Sequence, residues 1–336
     1  MSAHLKAGIA YFGVRNPEWV RRDMERIVAA GFTHVLHTWS EEDLQYYAET
    51  MAAIVSLSQE VGLKVYVNPW GIGRVFGGEA YSELTAHDHS IAQVDSLGKS
   101  RVAACPNHPL FRAYIHRWID SVCATPVETI FWDEPHFDFA KGEKGVWSCR
   151  CATCQRLFQQ RFGATMPLEI DDQVRTFRED CLVGFLDEMT SRVAKYGKRN
   201  SVCMLPPWFP AGLDDWDRVA SLPHVDEISS DPYWEKTTPP QSVAPTYAEV
   251  STRLVDLAHR HGKEPQIWIK NYHIVSGTET CVVDATNTAF GAGIRNIFAW
   301  SYLGSSYLSW LRSDQPEKVW RLQCAALDQC RKTCGE

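Results

Sequence analysis

The chain has 336 residues, 45% of them hydrophobic and 22% charged, enough to bury a large core as one big domain or two ordinary ones. A net charge of -7, a pI near 6.0 and no clustering of Lys and Arg argue against a nucleic-acid or anionic-membrane surface. No apolar run reaches membrane-spanning length, and Met1 to Trp19 lack a basic segment followed by an apolar stretch and cleavage site, so a cytoplasmic location is the default expectation.

Short β-type runs alternate with amphipathic helical stretches, with no Pro-, Gly- or Ser-rich linker between them. Strands are expected at 8–14, 33–39, 64–70, 128–133, 201–205, 227–231, 266–271 and 296–301. Helices with an apolar stripe are expected at 17–30, 42–61, 109–124, 247–261 and 317–331. Gly31, Gly62, Gly262 and Gly293 stand just before a following strand, where a left-handed helix C-cap suits glycine. Tyr11 to Asn16, after the first strand, is not a Gly-rich phosphate loop, which counts against a doubly wound sheet. The expectation is an α/β fold, one (β/α)8 TIM barrel over residues 1–336. The insertion from Gly71 to Ser100 reads as either a lid or a subunit contact, leaving a homo-oligomer open.

Catalytic groups of such barrels come from the C-terminal strand ends. Those ends offer His37 and Trp39, Asn68 and Trp70, Asp133, Glu134 and His136, Trp208, Asp231 and Tyr233, Lys270 and Asn271, and Trp300. Indole rings mixed with carboxylates, amides and imidazoles suit a small carbohydrate, whose rings present apolar C–H faces as well as hydroxyls. Each tryptophan taken singly serves equally well to cap the core.

Phe131-Trp132-Asp133-Glu134-Pro135-His136 delivers two carboxylates at the end of a buried run, where packing alone rarely places them. Asp231 is the matching second carboxylate, since it too ends a strand and precedes a proline. Glycoside hydrolysis needs such a pair, one protonated and one ionised. Strand ends two apart lie ~8–10 Å apart before side-chain reach, which suits an inverting pair better than a retaining one. Neighbouring strand positions face opposite ways, so Asp133 and Glu134 share one centre only if the strand has already ended, and Asp133 is expected to bond a loop or hold His136. His136 is read as a loop cap, a substrate contact or an orienter of Glu134. Lys270 is read as a partner of a substrate anion or of Glu134 and Asp231.

Cys149-Arg150-Cys151-Ala152-Thr153-Cys154, with Cys105 upstream, offers four thiols for a tetrahedral zinc site. A shell filled by Cys105, Cys149, Cys151 and Cys154 leaves no open position, so the zinc is structural, tying the long loops after strands three and four.

The pairing of Ala104-Cys105-Pro106-Asn107-His108-Pro109 with that later cysteine cluster, and with Phe158 and Phe162-Gly163, resembles glycoside hydrolase family 42 β-galactosidases. Those enzymes hold zinc with the equivalent cysteines and carry an Asn-Glu pair at the end of strand four. By resemblance Glu134 is the general acid. The likeness weakens past mid-chain, because Gln266-Ile-Trp-Ile-Lys270-Asn271 has no carboxylate where retaining relatives place a nucleophilic Glu. Glu279, in the loop that follows, reads as structural, opening a helix in a capping box.

The leading expectation is a glycosidase using Glu134 and Asp231. A metal-dependent isomerase, epimerase or aldolase would instead hold an ion with Glu134, Asp231, His136 and His37. A carbohydrate-binding barrel without turnover is the third reading.

Overall fold

The computed structural model describes residues 4–139, 143–209, 213–236 and 242–335. Eight parallel strands close into a barrel wrapped by helices, as the alternation implies. They are β1 (Lys6–Tyr11), β2 (His34–Thr38), β3 (Lys64–Asn68), β6 (Thr129–Asp133), β7 (Arg199–Met204), β8 (Glu227–Ser230), β9 (Glu264–Lys270) and β10 (Asn296–Trp300). Two further strands, β4 (Ala92–Val94) and β5 (Ser100–Ala104), form an antiparallel ribbon outside the barrel, built partly from the insertion after β3.

The helices run from α1 (Pro17–Ala29), α2 (Glu41–Tyr46) and α3 (Ala48–Glu60) through α4 (Leu84–His87), α5 (Pro109–Cys123), α6 (Ala152–Phe162) and α7 (Asp172–Ala194). They continue with α8 (Trp216–Ala220), α9 (Val243–His261), α10 (Cys281–Gly291) and α11 (Pro316–Cys334). Asn16 caps α1 by accepting from the Glu18 and Trp19 amides, and Gly262 ends α9 in the left-handed region at φ 64°. The expected helix at 42–61 is interrupted between α2 and α3, where Tyr47 takes a non-helical conformation.

The strand pleat sorts side chains into two cores. Outward residues such as Ile9, Val35, Val65, Ile130, Val202, Ile228, Ile267 and Ile297 pack against the helices. Inward residues form an aromatic plug of Phe12, Tyr66, Trp70, Phe131, Trp268, Phe298 and Trp300. Deeper still, buried Glu227 accepts from the Tyr66 hydroxyl at 2.9 Å and the Asn296 amide at 3.2 Å, and pairs with Arg199 at 3.1 Å. The plug is thus floored by a paired charge, and what lies above it opens at the C-terminal strand ends.

Candidate active site

Above the plug is a cavity of about 130 Å³. Asp133, Glu134, Asp231 and Glu79 line it with Phe131, Cys203, Tyr233, Trp268, Tyr272 and Trp300. Asp133 is the last residue of β6 and points inward by the pleat. Glu134 ought then to point outward, but its backbone turns into the left-handed region at φ 45°, and its carboxyl swings into the same cavity. That conformation costs a non-glycine residue about 1–2 kcal/mol. It is held by Glu134 N–H to the Cys203 carbonyl at 3.0 Å, Gly77 N–H to the Asp133 carbonyl at 2.9 Å and His136 N–H to the Val75 carbonyl at 2.9 Å. Asp133 and Glu134 share the centre because the strand ends between them, the one case the pleat allows, and Asp133 bonds the Asn68 amide instead of a loop or His136.

Asp231 follows the last residue of β8, two strands away, with β7 between. The intervening inward side chain is only Cys203, whose thiol lies 3.7 Å from Asp231 Oδ1. Across this small residue the Glu134 and Asp231 carboxyls come within hydrogen-bonding reach of each other. Burial raises the Glu134 pKa far above the usual carboxylate range, and the Asp231 charge pushes it further. Burial pushes Asp231 up to about 7, an effect moderated by its hydrogen bond to Glu134. Asp133 is also raised well above normal by burial and by Glu134, while the Asn68 amide, donating at 3.1 Å, pulls the other way.

Glu79 is a carboxylate that sequence reasoning missed. It lies in the aperiodic loop after β3, where neither strand nor helix spacing marks it. Burial of its carboxyl raises its pKa, against the pull of a hydrogen bond from Trp70. The same loop brings Gly77 against the carboxyls: a Cβ there would sit 2.8 Å from Glu134 Oε2 and 3.1 Å from Asp133 Oδ2. Only glycine lets the backbone approach so closely.

Of the candidates read from the sequence, Asp133, Glu134, Asp231, Tyr233 and Trp300 line the cavity. Asn68 supports Asp133, and Trp70 joins the aromatic plug beside Phe12 at 5.2 Å. The others lie elsewhere. His37 and Trp39 have outward parity: His37 Nε2 meets Ser58 Oγ of α3 at 2.8 Å, and burial lowers its pKa to about 3. The Trp39 carbonyl accepts from the Trp118 indole at 2.9 Å.

Asn271 also lies on the outward parity, buried, its N–H donating to the Trp300 carbonyl at 2.7 Å. Trp208 is on the surface, 47% exposed, beside Phe209. Lys270 pairs with neither carboxylate. Its ammonium donates to the Trp234 carbonyl at 2.6 Å and lies 5.1 Å from the Tyr272 ring centre, and burial lowers its pKa to about 8. His136 Nδ1 lies 2.5 Å from the Glu134 carbonyl oxygen, so it braces the turn rather than lining the cavity. Glu279 stays outside as a structural residue, tied to Lys318 at 3.1 Å, although α10 begins without a side-chain cap.

Because His37 faces the helices and His136 braces the turn, the set Glu134, Asp231, His136 and His37 does not converge on one ion. The cysteines do. The sulfurs of buried Cys105, Cys149, Cys151 and Cys154 all lie within 4.8 Å of one another, with Cys105 to Cys154 at 3.5 Å and Cys105 to Cys151 at 3.6 Å. A tetrahedron with 2.3 Å metal–sulfur bonds has edges of about 3.8 Å. The Asn107 amide donates to the Cys154 sulfur at 3.3 Å and the Cys151 N–H to the Cys149 sulfur at 3.4 Å, both favouring thiolates. The donor set therefore fits a metal, and it joins the segment after β5 to the loop after β6.

No protein-family model matches the chain, and no curated protein matches it by sequence. Solved structures do match in fold. GH5_18 from Streptomyces cattleya in complex with GlcNAc aligns with a TM-score of 0.62 at 12% identity, covering 98% of this chain and 81% of that one. An endo-1,4-beta-mannanase from Rhizomucor miehei aligns at 0.63 and 9% identity, covering 98% and 95%. A D-psicose 3-epimerase aligns at 0.52 and 12%, covering 99% and 100%. At these identities the likeness is one of fold. None of these findings places the chain in glycoside hydrolase family 42, and that resemblance rests on the quoted residues alone. No helix among the described residues is long and apolar enough to cross a membrane.

Proposed function

We propose that this barrel is a glycosidase acting on a small glycoside or oligosaccharide, with Glu134 as general acid and Asp231 as the second carboxylate. The carrying observation is the Glu134–Asp231 pair, buried together at the mouth of an aromatic-walled barrel with their proton affinities split. Asp231, pushed up to about 7, ionises first, while burial and that new charge keep the proton on Glu134. Two carboxyls whose surroundings separate them in this way divide into acid and base. Trp268, Trp300, Tyr233 and Tyr272 supply apolar faces for a sugar ring, and Asp133 and Glu79 supply acceptors or donors for its hydroxyls.

At hydrogen-bonding separation the two carboxyls are closer than the ~5–5.5 Å of a covalent route or the ~6.5–9.5 Å of a water-mediated one. An entering ring has to part them, and the covalent route asks for the smaller movement. This reverses the inverting preference drawn from strand spacing. Asp231 would then attack the anomeric carbon as Glu134 protonates the departing oxygen, and water would release the sugar with Glu134 as base.

The cysteine quartet completes the reading as a structural zinc site. Zinc held by Cys105, Cys149, Cys151 and Cys154 would supply a cross-link and no reactive position.

The test is hydrolysis of aryl glycosides of glucose, galactose, mannose and N-acetylglucosamine by wild type, Glu134→Gln and Asp231→Asn, with NMR of the first-formed anomer. Loss of about 10²–10⁴-fold in both variants, with the anomeric configuration retained, is expected. Undiminished turnover in either variant removes that residue from the mechanism.

A further inference from the structure

The carboxyl-bearing residue Glu134 borders two spaces. One is the small cavity it shares with Asp231. The other is a pocket of about 520 Å³ walled by Arg74, Phe76, Arg101, Val102, His136 and Phe139, with Asp138 at its edge. A general acid has to stand between the ring being released and the oxygen that leaves with the other half of the substrate. If Glu134 is that acid, the small cavity takes the ring and the wider pocket takes the leaving group. The inference rests on the function proposed above.

The charged and titratable groups facing the wider pocket are Arg74, Arg101, Glu134, His136 and Asp138. Arg101 is engaged by Asp95 at 2.6 Å and Glu143 at 3.5 Å, and it lies 3.9 Å from Asp138. His136 lies against the Glu134 carbonyl and stacks on Phe139 at 4.7 Å. Arg74 differs from both: it is exposed, and no carboxylate among the described residues lies within ion-pair distance of it.

Its placement is also costly. Arg74 takes a left-handed backbone at φ 54°, an arrangement residues other than glycine adopt under constraint. The constraint is visible. Arg74 N–H donates to the Gly71 carbonyl at 3.1 Å, and Gly73 N–H donates to Glu41 Oε1 at 2.8 Å. The bonds from Gly77 to Asp133 and from His136 to Val75 then bolt this loop to the strand end that carries the acid. One rigid unit thus carries both Glu134 and a cation without a carboxylate partner on the wall of the same pocket.

We propose that the pocket beyond Glu134 binds the leaving group, and that Arg74 selects substrates whose leaving group carries an anion, a carboxylate in the first instance. A guanidinium grips a carboxylate through two parallel hydrogen bonds, which a neutral hydroxyl cannot match. The chemistry is otherwise that of any glycoside. The bond from the anomeric carbon to the leaving oxygen breaks, Glu134 gives that oxygen its proton, and water supplies the new C–O bond and restores the proton.

The experiment compares 4-carboxyphenyl and 4-carbamoylphenyl glycosides, matched in size and differing in charge, on the sugar that wild type hydrolyses best. Wild type should favour the carboxylate about three- to tenfold in kcat/KM, mainly through KM, and the preference should fade in high salt. Arg74→Gln should bring the ratio close to one, and Arg74→Lys should keep part of it. A ratio that Arg74→Gln leaves unmoved while both glycosides are hydrolysed overturns this inference and leaves the glycosidase reading standing. Absence of turnover on every glycoside by wild type overturns the glycosidase reading, and this inference with it.

Discussion

Substituting Gly77 tests whether the acid depends on the loop that walls it in. In Gly77→Ala the new methyl would lie 2.8 Å from Glu134 Oε2, about 0.6 Å inside the 3.4 Å at which ordinary contact begins. It would also lie 3.1 Å from Asp133 Oδ2. The Gly77 backbone has no left-handed φ to lose, so the perturbation is steric and aimed at the carboxyls. Overpacking of this kind costs about 1–3 kcal/mol in stability, a loss of a few degrees in Tm for a chain of this size. The catalytic cost should be larger in proportion, because misplacing a reacting group by close to 1 Å can cost about 10²-fold. The assay is kcat/KM on the best aryl glycoside beside thermal unfolding by circular dichroism. A Gly77→Ala enzyme with a slightly lowered Tm and kcat/KM down about 10–100-fold fits the account. Unchanged kcat/KM would refute the idea that this wall sets the position of Glu134.

Asp231 makes two linked predictions. With its pKa pushed up to about 7, kcat/KM should rise as pH passes through ~7 and fall at more alkaline pH as Glu134 loses its proton; Asp231→Asn should abolish the rise. Its pKa is higher folded than unfolded, so it destabilises the fold once the unfolded carboxyl ionises above pH ~4, by up to about 4 kcal/mol near pH 7 and beyond. Asp231→Asn should therefore raise Tm at pH 8 and leave it nearly unchanged at pH 4, a shift that thermal melts across pH would read. At the cysteine quartet, elemental analysis should find one zinc per chain, and Cys151→Ser or Cys154→Ser should lose the metal and lower Tm. Brief chelation of wild type should leave turnover intact, since the cavity takes no ligand from the quartet.

The barrel was readable because eight β-type runs alternate with amphipathic helices, and each strand then obeys its pleat. Leu36, Tyr66, Phe131, Trp268 and Phe298 turn inward while their neighbours pack on helices. The same rule, applied residue by residue, would have withdrawn His37 and Trp39, which share the outward parity of Val35. The turn at Glu134 was not readable. A left-handed glutamate is imposed by contacts from Cys203, Val75 and Gly77, far apart in sequence, and no local preference announces it. Of the two readings of Lys270, pairing with Glu134 and Asp231 fails for a related reason: the pleat turns it inward, but the Trp234 carbonyl captures its ammonium. Glu79 had no period to reveal it. The cysteine cluster was legible because ligand spacing is local, apart from the single long-range partner Cys105.

The most direct test of Glu134 as general acid is how its loss depends on the leaving group. A good leaving group departs without a proton, whereas a poor one needs it. Glu134→Gln should lower kcat/KM by about 10³–10⁴-fold on an unactivated alkyl glycoside or disaccharide, but by tenfold or less on the 2,4-dinitrophenyl glycoside of the same sugar. Equal losses on both substrates, or no loss on the unactivated one, would contradict the assignment.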